Sequence, residues 1–432
     1  MSLRWAAVIL SAYIALEPAA PPIHAQDAKR KTIASGDTGG VLPAPASTEI
    51  IRGFLNKSRG RLDQPAELAP FFERLHQISA GSGPRSVHIL HFGDSHTAGD
   101  GWTGWLRSLF QERFGDGGSG FSLAGHPFPG YRRADASGGS TGGWKAAGLQ
   151  SGAGDGYFGL GGVSLSTESP GQTVYLDAAC DLLEVHYLQQ PNGGDLALYE
   201  DGKLLEEFST AGELKAEIRM FENHSGTHRY QLKTTSSRPV RIFGWVADKQ
   251  QGMTYESLGL NGARASLILR WDEEMLGQYL RSRDPGLVVL AYGTNDAVGL
   301  QSSLDRYQEM FSTLLGRLRR LAPEAAILVI GPPDVAPKIA GRPATPTEVD
   351  LISAAQQNAS RANGCAFWDM RDHMGGTGSM REWAAAGLAQ RDNVHFSPGG
   401  YRQLADALFS DLMRYYDTYT QVRLQLLGRD SK

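Results

Sequence analysis

The chain has 432 residues, with 42 Lys and Arg against 46 Asp and Glu, a net charge of −4, and two cysteines. A mildly acidic chain without basic blocks excludes a protein that tracks nucleic-acid phosphates, and two cysteines are too few for a disulfide-built scaffold. The length suffices for one large domain or two medium ones with real cores.

Residues 1–25 open with Arg4, run apolar from Trp5 to Leu16 and end at Ile23-His24-Ala25. That is the pattern of a signal peptide, and the run is shorter than the roughly 20 apolar residues a membrane span needs. An exported protein that does not span the membrane is expected, periplasmic or secreted. Removing these residues takes away Arg4 and Glu17, which leaves the charge at −4. Residues 26–48 are rich in Gly, Pro, Ala and Ser and read as a flexible leader. Leu68, Phe71, Phe72 and Leu75 then fall at helical spacing, predicting a helix over 65–78. Val87 to Phe92 reads as a buried strand stopping at Gly93. A helix of open start follows, clear from Trp102 to Phe114. Such a strand–turn–helix holds Ser95 up at the carboxyl edge of a sheet, above the positive end of a helix. The plain alternative is that Ser95 caps that helix.

A Gly-rich turn at 115–120 leads into a stretch poor in helical pattern. Seven short β-type runs follow, at 173–176, 183–188, 196–199, 203–208, 214–220, 230–234 and 240–246, separated by Gly, Pro, Asn and Asp. They predict an antiparallel sandwich. Beyond Lys249 the spacing predicts helices over 266–281, 304–321, 347–362 and 398–416, alternating with strands at 287–291, 326–330 and 366–369. Alternation of this kind implies a parallel sheet covered on both faces. The expected plan is therefore an α/β domain in two parts, 49–124 and 251–432, interrupted by a β-sandwich over 125–250.

Several residues could act with Ser95. Asn295 follows the 287–291 strand directly, at the edge where such sheets bind ligands, although Asn also closes turns. Gly262 could offer a bare N–H, or serve only as a turn glycine. Serine needs a base to take its proton, and histidine titrates in the right range. His395 is that candidate, with Asp392 three residues earlier as the acceptor that fixes its ring. His88 and His91 face opposite sides of one strand and do not share a metal, and no Cys/His cluster has zinc spacing. His96 is expected at the rim of the site. Cys180 and Cys365 leave open whether they pair.

In order, Gly93-Asp94-Ser95-His96, Gly262, Gly293-Thr-Asn295-Asp296 and Asp392-x-x-His395 resemble the four blocks of the SGNH (GDSL-type) hydrolases. The resemblance covers about 86–123 and 255 to the C-terminal helix. The export signal, Gly-Asp-Ser-His-Thr-Ala-Gly-Asp100 and the insertion look most like the peptidoglycan O-acetylesterases of Gram-negative bacteria. The resemblance implies a flavodoxin-like three-layer α/β fold with a jelly-roll-like insertion similar to a carbohydrate-binding module. It implies Ser95, Asp392 and His395 as catalytic residues, with Ser95, Gly262 and Asn295 as the oxyanion hole. His96 and Asp296 would bind substrate, and no metal or other cofactor would be needed. The substrate would be an O-acetylated cell-wall polysaccharide. An acetyltransferase, a deacetylase of another polysaccharide and an inert glycan-binding protein are the competing readings. Oligomeric state is not legible.

Overall fold

A computed structural model describes residues 45–150, 154–222, 226–298, 303–339, 342–343 and 345–430. The expected export segment and residues 26–44 of the expected leader lie outside these. The last residues of that leader are helical, since the first helix spans Pro45–Lys57 and buries Ile51 and Leu55.

One sheet organises the α/β part. Its strands are β1 (Leu62–Asp63), β2 (Ser86–Gly93), β3 (Gly252–Gly259), β4 (Leu287–Ala291), β5 (Ala326–Ile330) and β6 (Ala366–Trp368), in the spatial order β1-β6-β5-β4-β2-β3. All neighbours run parallel except β1, which is antiparallel to β6. Leaving that short edge aside, the order is flavodoxin-like, and it reverses between β2 and β4, where such sheets open a crevice at their carboxyl ends. Side chains alternate between two cores, as the strand period of two requires. Val87, Ile89, Leu287, Val289 and Leu328 face one core, and Leu90, Phe92, Val288, Leu290 and Val329 the other. Burial on both faces explains the continuous apolar runs of these strands.

Helices cover both faces. Leu304–Leu321 shows why they form: Ser303 caps it by accepting from the Arg306 N–H at 3.4 Å, and Arg319 and Arg320 stand in its last turn, favourable to the helix dipole. Tyr307, Phe311, Leu314, Leu315 and Leu318 form its buried stripe. Three expected helices differ from prediction. The 65–78 segment is a 3₁₀ turn over Pro65–Leu68 and then a helix over Ala69–Ala80. The 266–281 segment is a 3₁₀ turn over Ala265–Arg270 and then a helix over Glu273–Arg283, because Asp272 accepts from the Met275 N–H at 2.9 Å and restarts the helix. The last helix runs on to Asp430 rather than ending at 416. Tyr419 and Val422 keep its added turns packed in the core, and Arg423 pairs with Glu73 at 3.0 Å.

The seven predicted β-runs all lie in two antiparallel sheets. One is ordered Lys203–Ser209, Asp195–Glu200, Thr227–Thr234, Thr173–Ala179, Ser137–Ser140. The other is ordered Lys215–Glu222, Leu182–Gln189, Val240–Asp248, Val163–Thr167, Lys145–Gly148, with Gly118–Leu123 pairing on Val240–Asp248. The second sheet is buried on both faces. Val240, Ile242, Trp245 and Ala247 share a core with Val174, Leu198 and Leu232 of the first sheet. Phe243 and Val246 point the other way, into the core that holds Tyr279, Leu280 and Leu290 of the α/β part. A register shift between Ile242 and Gly244 makes this change of facing possible.

Charge is buried where the second sheet meets β3. Arg283 donates to Asp248 at 2.6 Å and to Glu256 at 3.1 Å, and Glu256 is wholly buried. Removing one partner of a buried pair strands the others without water. Arg283→Ala should therefore lower the unfolding free energy by about 3–5 kcal/mol, measured by urea denaturation. A loss under about 1 kcal/mol would show that the carboxylates find other compensation.

Candidate active site

β2 ends in Gly93, whose missing side chain is required: a Cβ there would lie 2.1 Å from Thr97 Oγ1. Asp94 accepts from the His96 N–H at 3.0 Å, which starts a short helix over Ser95–Ala98. The chain then breaks at Asp100, a left-handed residue with φ of 54°, before the helix Gly101–Phe114. Ser95 thus stands over a single turn, not over the positive end of one long helix. Asp100 holds the break. Its buried carboxylate accepts from Thr103 Oγ1 at 2.7 Å, from both terminal nitrogens of Arg107 at 2.8 and 3.0 Å, and from the Ala134 N–H at 2.9 Å.

Ser95 and His395 meet across 300 residues: Ser95 Oγ lies 2.9 Å from His395 Nε2. His395 Nδ1 lies 2.7 Å from Asp392 Oδ2. The other oxygen of Asp392 accepts from the N–H groups of Val394 and His395 at 2.9 and 3.0 Å, so a local turn fixes the carboxylate. Burial alone would raise the Asp392 carboxyl. The His395 ring and the two N–H donors outweigh it and hold it below the usual carboxylate range. A hydroxyl, an imidazole and an ionised carboxylate in one hydrogen-bonded line can move a proton off the serine.

Residues 225–403 match the GDSL-like lipase/acylhydrolase family. A solved peptidoglycan O-acetylesterase is similar over 81% of this chain and 96% of that one, with 26% identity and a TM-score of 0.69. Together with the Ser95–His395–Asp392 line, these likenesses support an SGNH hydrolase. Family two carbohydrate esterases from Cellvibrio japonicus (10% identity, 66% of this chain, 99% of that one, TM-score 0.28) and Clostridium thermocellum (14%, 59%, 95%, TM-score 0.29) are more remote. Curated proteins give no match.

The remaining predicted residues of the hydrolase divide. The N–H groups of Ser95 and Gly262 donate to no acceptor among the described residues. Gly262 has φ of 71°, and its loop is tied down by Asn261, which donates to Pro129 O at 2.6 Å. Asn295 stands at the expected sheet edge, but its amide nitrogen donates to Asp94 Oδ2 at 3.3 Å and Ala263 O at 3.1 Å. Both neighbours are acceptors, which settles the orientation of the amide. The site therefore holds this donor on Asp94 and Ala263.

His96 and Asp296, expected to bind substrate, are both buried. His96 is buried against His395, ring centroids 5.1 Å apart, with Nδ1 3.1 Å from the Tyr401 hydroxyl. Burial lowers its pKa to about 3, so it stays neutral beside the imidazole that must become charged. Asp296 is buried beneath the site and accepts from the Ala265 N–H at 3.4 Å. Burial raises its pKa to about 7. Both polar types signalled contact with solvent, and tertiary packing overrode that signal.

Asp94 and Tyr401 were missed as site residues. Asp94 sits in the serine block, and only the fold shows that it faces Asn295. Among the described residues, no group of His, Cys, Asp and Glu could hold a metal. Cys180 and Cys365 form no disulfide and lie in different cores. A cleft of ≈ 380 Å³ adjoins Ser95, and clefts of ≈ 620 and ≈ 730 Å³ lie away from it.

Two measurements test these assignments. Asp94→Asn would set an amide donor against the Asn295 donor, and kcat for an acetyl ester should fall about tenfold or more while KM changes little. An unchanged kcat would free Asn295 from any dependence on Asp94. For Asp296, a carboxyl with a folded pKa of about 7 holds its proton in the folded state after the unfolded chain has lost it. Its contribution to stability is thus lost as pH rises from roughly 4 to 7. Asp296→Asn should flatten that part of the Tm–pH curve, and an unaltered curve would place the titration elsewhere.

Proposed function

We propose that this SGNH hydrolase is a serine esterase that removes O-acetyl groups from a cell-envelope glycan, most specifically peptidoglycan, in the periplasm. The observation that carries the reading is the unbroken line Ser95 Oγ–His395 Nε2, His395 Nδ1–Asp392 Oδ2, at 2.9 and 2.7 Å. The extended likeness to a solved peptidoglycan O-acetylesterase supports the acetyl ester and the glycan.

In this reading Ser95 Oγ attacks the ester carbonyl carbon as His395 Nε2 takes its proton. The oxyanion is met by the N–H groups of Ser95 and Gly262. Asn295 turns its amide from Asp94 or Ala263 to the oxyanion, so its full strength is reserved for the transition state. The tetrahedral intermediate collapses, His395 passes the proton to the leaving sugar oxygen, and an acetyl-serine remains. Water, deprotonated by His395, attacks that ester, releasing acetate and restoring the Ser95 hydroxyl. Asp392 stabilises the charged ring in both halves.

The two antiparallel sheets would form an inserted, jelly-roll-like glycan-contacting sandwich, with 125–250 as its bounds and 1–25 as the export signal. Its service to the α/β part is more intimate than a tethered module's. Segment 128–135, within those bounds, supplies Ala134 N to Asp100 and a Pro129 carbonyl to Asn261.

The test is acetate release from purified O-acetylated peptidoglycan, without any acceptor sugar, beside acetylated xylan. Ser95→Ala and His395→Ala should each lower kcat by about 10⁴-fold or more, and Asp392→Asn by a similar factor. Normal turnover by folded Ser95→Ala would end the serine-esterase reading. Acetate that appears only when an acceptor glycan is added would make the protein a transferase.

A further inference from the structure

The cleft beside Ser95 has a charged wall that the chemistry above does not use. Its floor is glycine-rich, with Gly99, Gly101 and Gly104, so a sugar ring can approach the backbone closely. On one side stands Arg132, whose own N–H donates to Ala98 O at 3.3 Å and so pins it to the helix that carries Ser95. Arg402, one residue beyond Tyr401, also lines the cleft, with its guanidinium over Trp105 at 4.3 Å from the ring centroid. Trp105 is itself held, its indole N–H donating to Asp406 Oδ1 at 2.7 Å.

Both arginines are exposed. Neither has an ion-pair partner among the described residues. That is unlike the arginines around them. Arg133, next in sequence, pairs with Asp135 at 2.9 Å, and Arg107 is matched by Asp100 and Asp135. Asp100 is the one carboxylate along this cleft wall, and its charge is already taken by Arg107. The cleft therefore presents two unspent guanidinium groups within reach of the nucleophile. The ring of Trp105 lies under one of them, 4.3 Å from the centroid, and a guanidinium's planar fork of donors is the group that receives a carboxylate.

We propose that Arg132 and Arg402 form a subsite for a carboxylate on the glycan, so that the hydrolase selects acetyl esters on acidic glycans over those on neutral ones. The proposal rests on the esterase reading and narrows its substrate class. A muropeptide, a glycan whose peptide stem bears free carboxylates, meets the requirement. Xylan, which is largely neutral, does not. Trp105 acts as a positioning residue for Arg402, since its ring face is occupied by the guanidinium and is not free to stack on a sugar.

The experiment compares kcat/KM of the wild type, Arg132→Gln, Arg402→Gln and the double variant on three acetyl esters. These are soluble O-acetylated peptidoglycan fragments, the same fragments with their carboxylates converted to methylamides, and p-nitrophenyl acetate. On the carboxylate fragments the double variant should lose about tenfold or more relative to its change on p-nitrophenyl acetate, chiefly through KM, as loss of a charge-assisted contact implies. Amidating the substrate should impose the same loss on the wild type and bring all four proteins together. Rates indifferent to both the arginines and amidation would overturn the subsite and leave the esterase standing. Absence of acetate from all three substrates with the folded wild type would overturn the esterase reading, and the subsite with it.

Discussion

The buried carboxylate of Asp100 is the interaction on which the site depends. A carboxylate out of water must be surrounded by donors, and those around Asp100 come from separate parts of the chain. Thr103 and Arg107 belong to the following helix, and Ala134 to the loop after the Gly118–Leu123 strand. Arg107 also donates to the Tyr255 carbonyl at 2.9 Å, which draws β3 into the same arrangement. The left-handed turn at Asp100 is thereby fixed, and with it the single helical turn that presents Ser95. One acidic residue, not in contact with the reacting atoms, sets where the nucleophile stands and where Arg132 can reach.

A second constraint comes from the antiparallel sheet that contains Val240–Asp248. With one face on the first antiparallel sheet and the other on the helix Glu273–Arg283, it belongs to two cores at once. Stacking of His186 on Tyr279, centroids 5.6 Å apart, and the bond from Gln278 to Ala216 O at 3.0 Å extend the same junction. The β-rich and α/β parts therefore share apolar surface that neither could expose to water without cost.

What the sequence revealed follows from how each element is stabilised. β2, β4 and β5 are continuous apolar runs because both their faces are buried, and they were legible as strands. β3 was not legible as a strand, because Thr254, Glu256 and Ser257 interrupt its apolar pattern; their partners include Arg283 and Thr97 O, from elsewhere in the chain. The strands at 118–123, 137–140 and 145–148 were hidden by glycine, which carries no side chain to show a period. Ser95, His395 and Asp392 were legible because their chemistry demands those types in local motifs. The storage of the Asn295 amide on Asp94 was not, since nothing local tells an asparagine which carboxylate will face it. The neutral, buried state of His96 was equally illegible, for it is set by Tyr401 and His395, about 300 positions away.

The distance in sequence between Ser95 and His395 has a consequence for how the chain comes to life. Contacts across 300 residues close late, because their loop entropy must be met by structure formed in between. His395 sits on the loop just before the 33-residue C-terminal helix, and that helix docks against the first helices through Tyr419 and Arg423. A chain that emerges from its N-terminus first can build the turn bearing Ser95, yet it holds only an unactivated alcohol there until the final helix arrives. The nucleophile is thus silent until synthesis is nearly complete, and any product truncated before His395 is inert by construction.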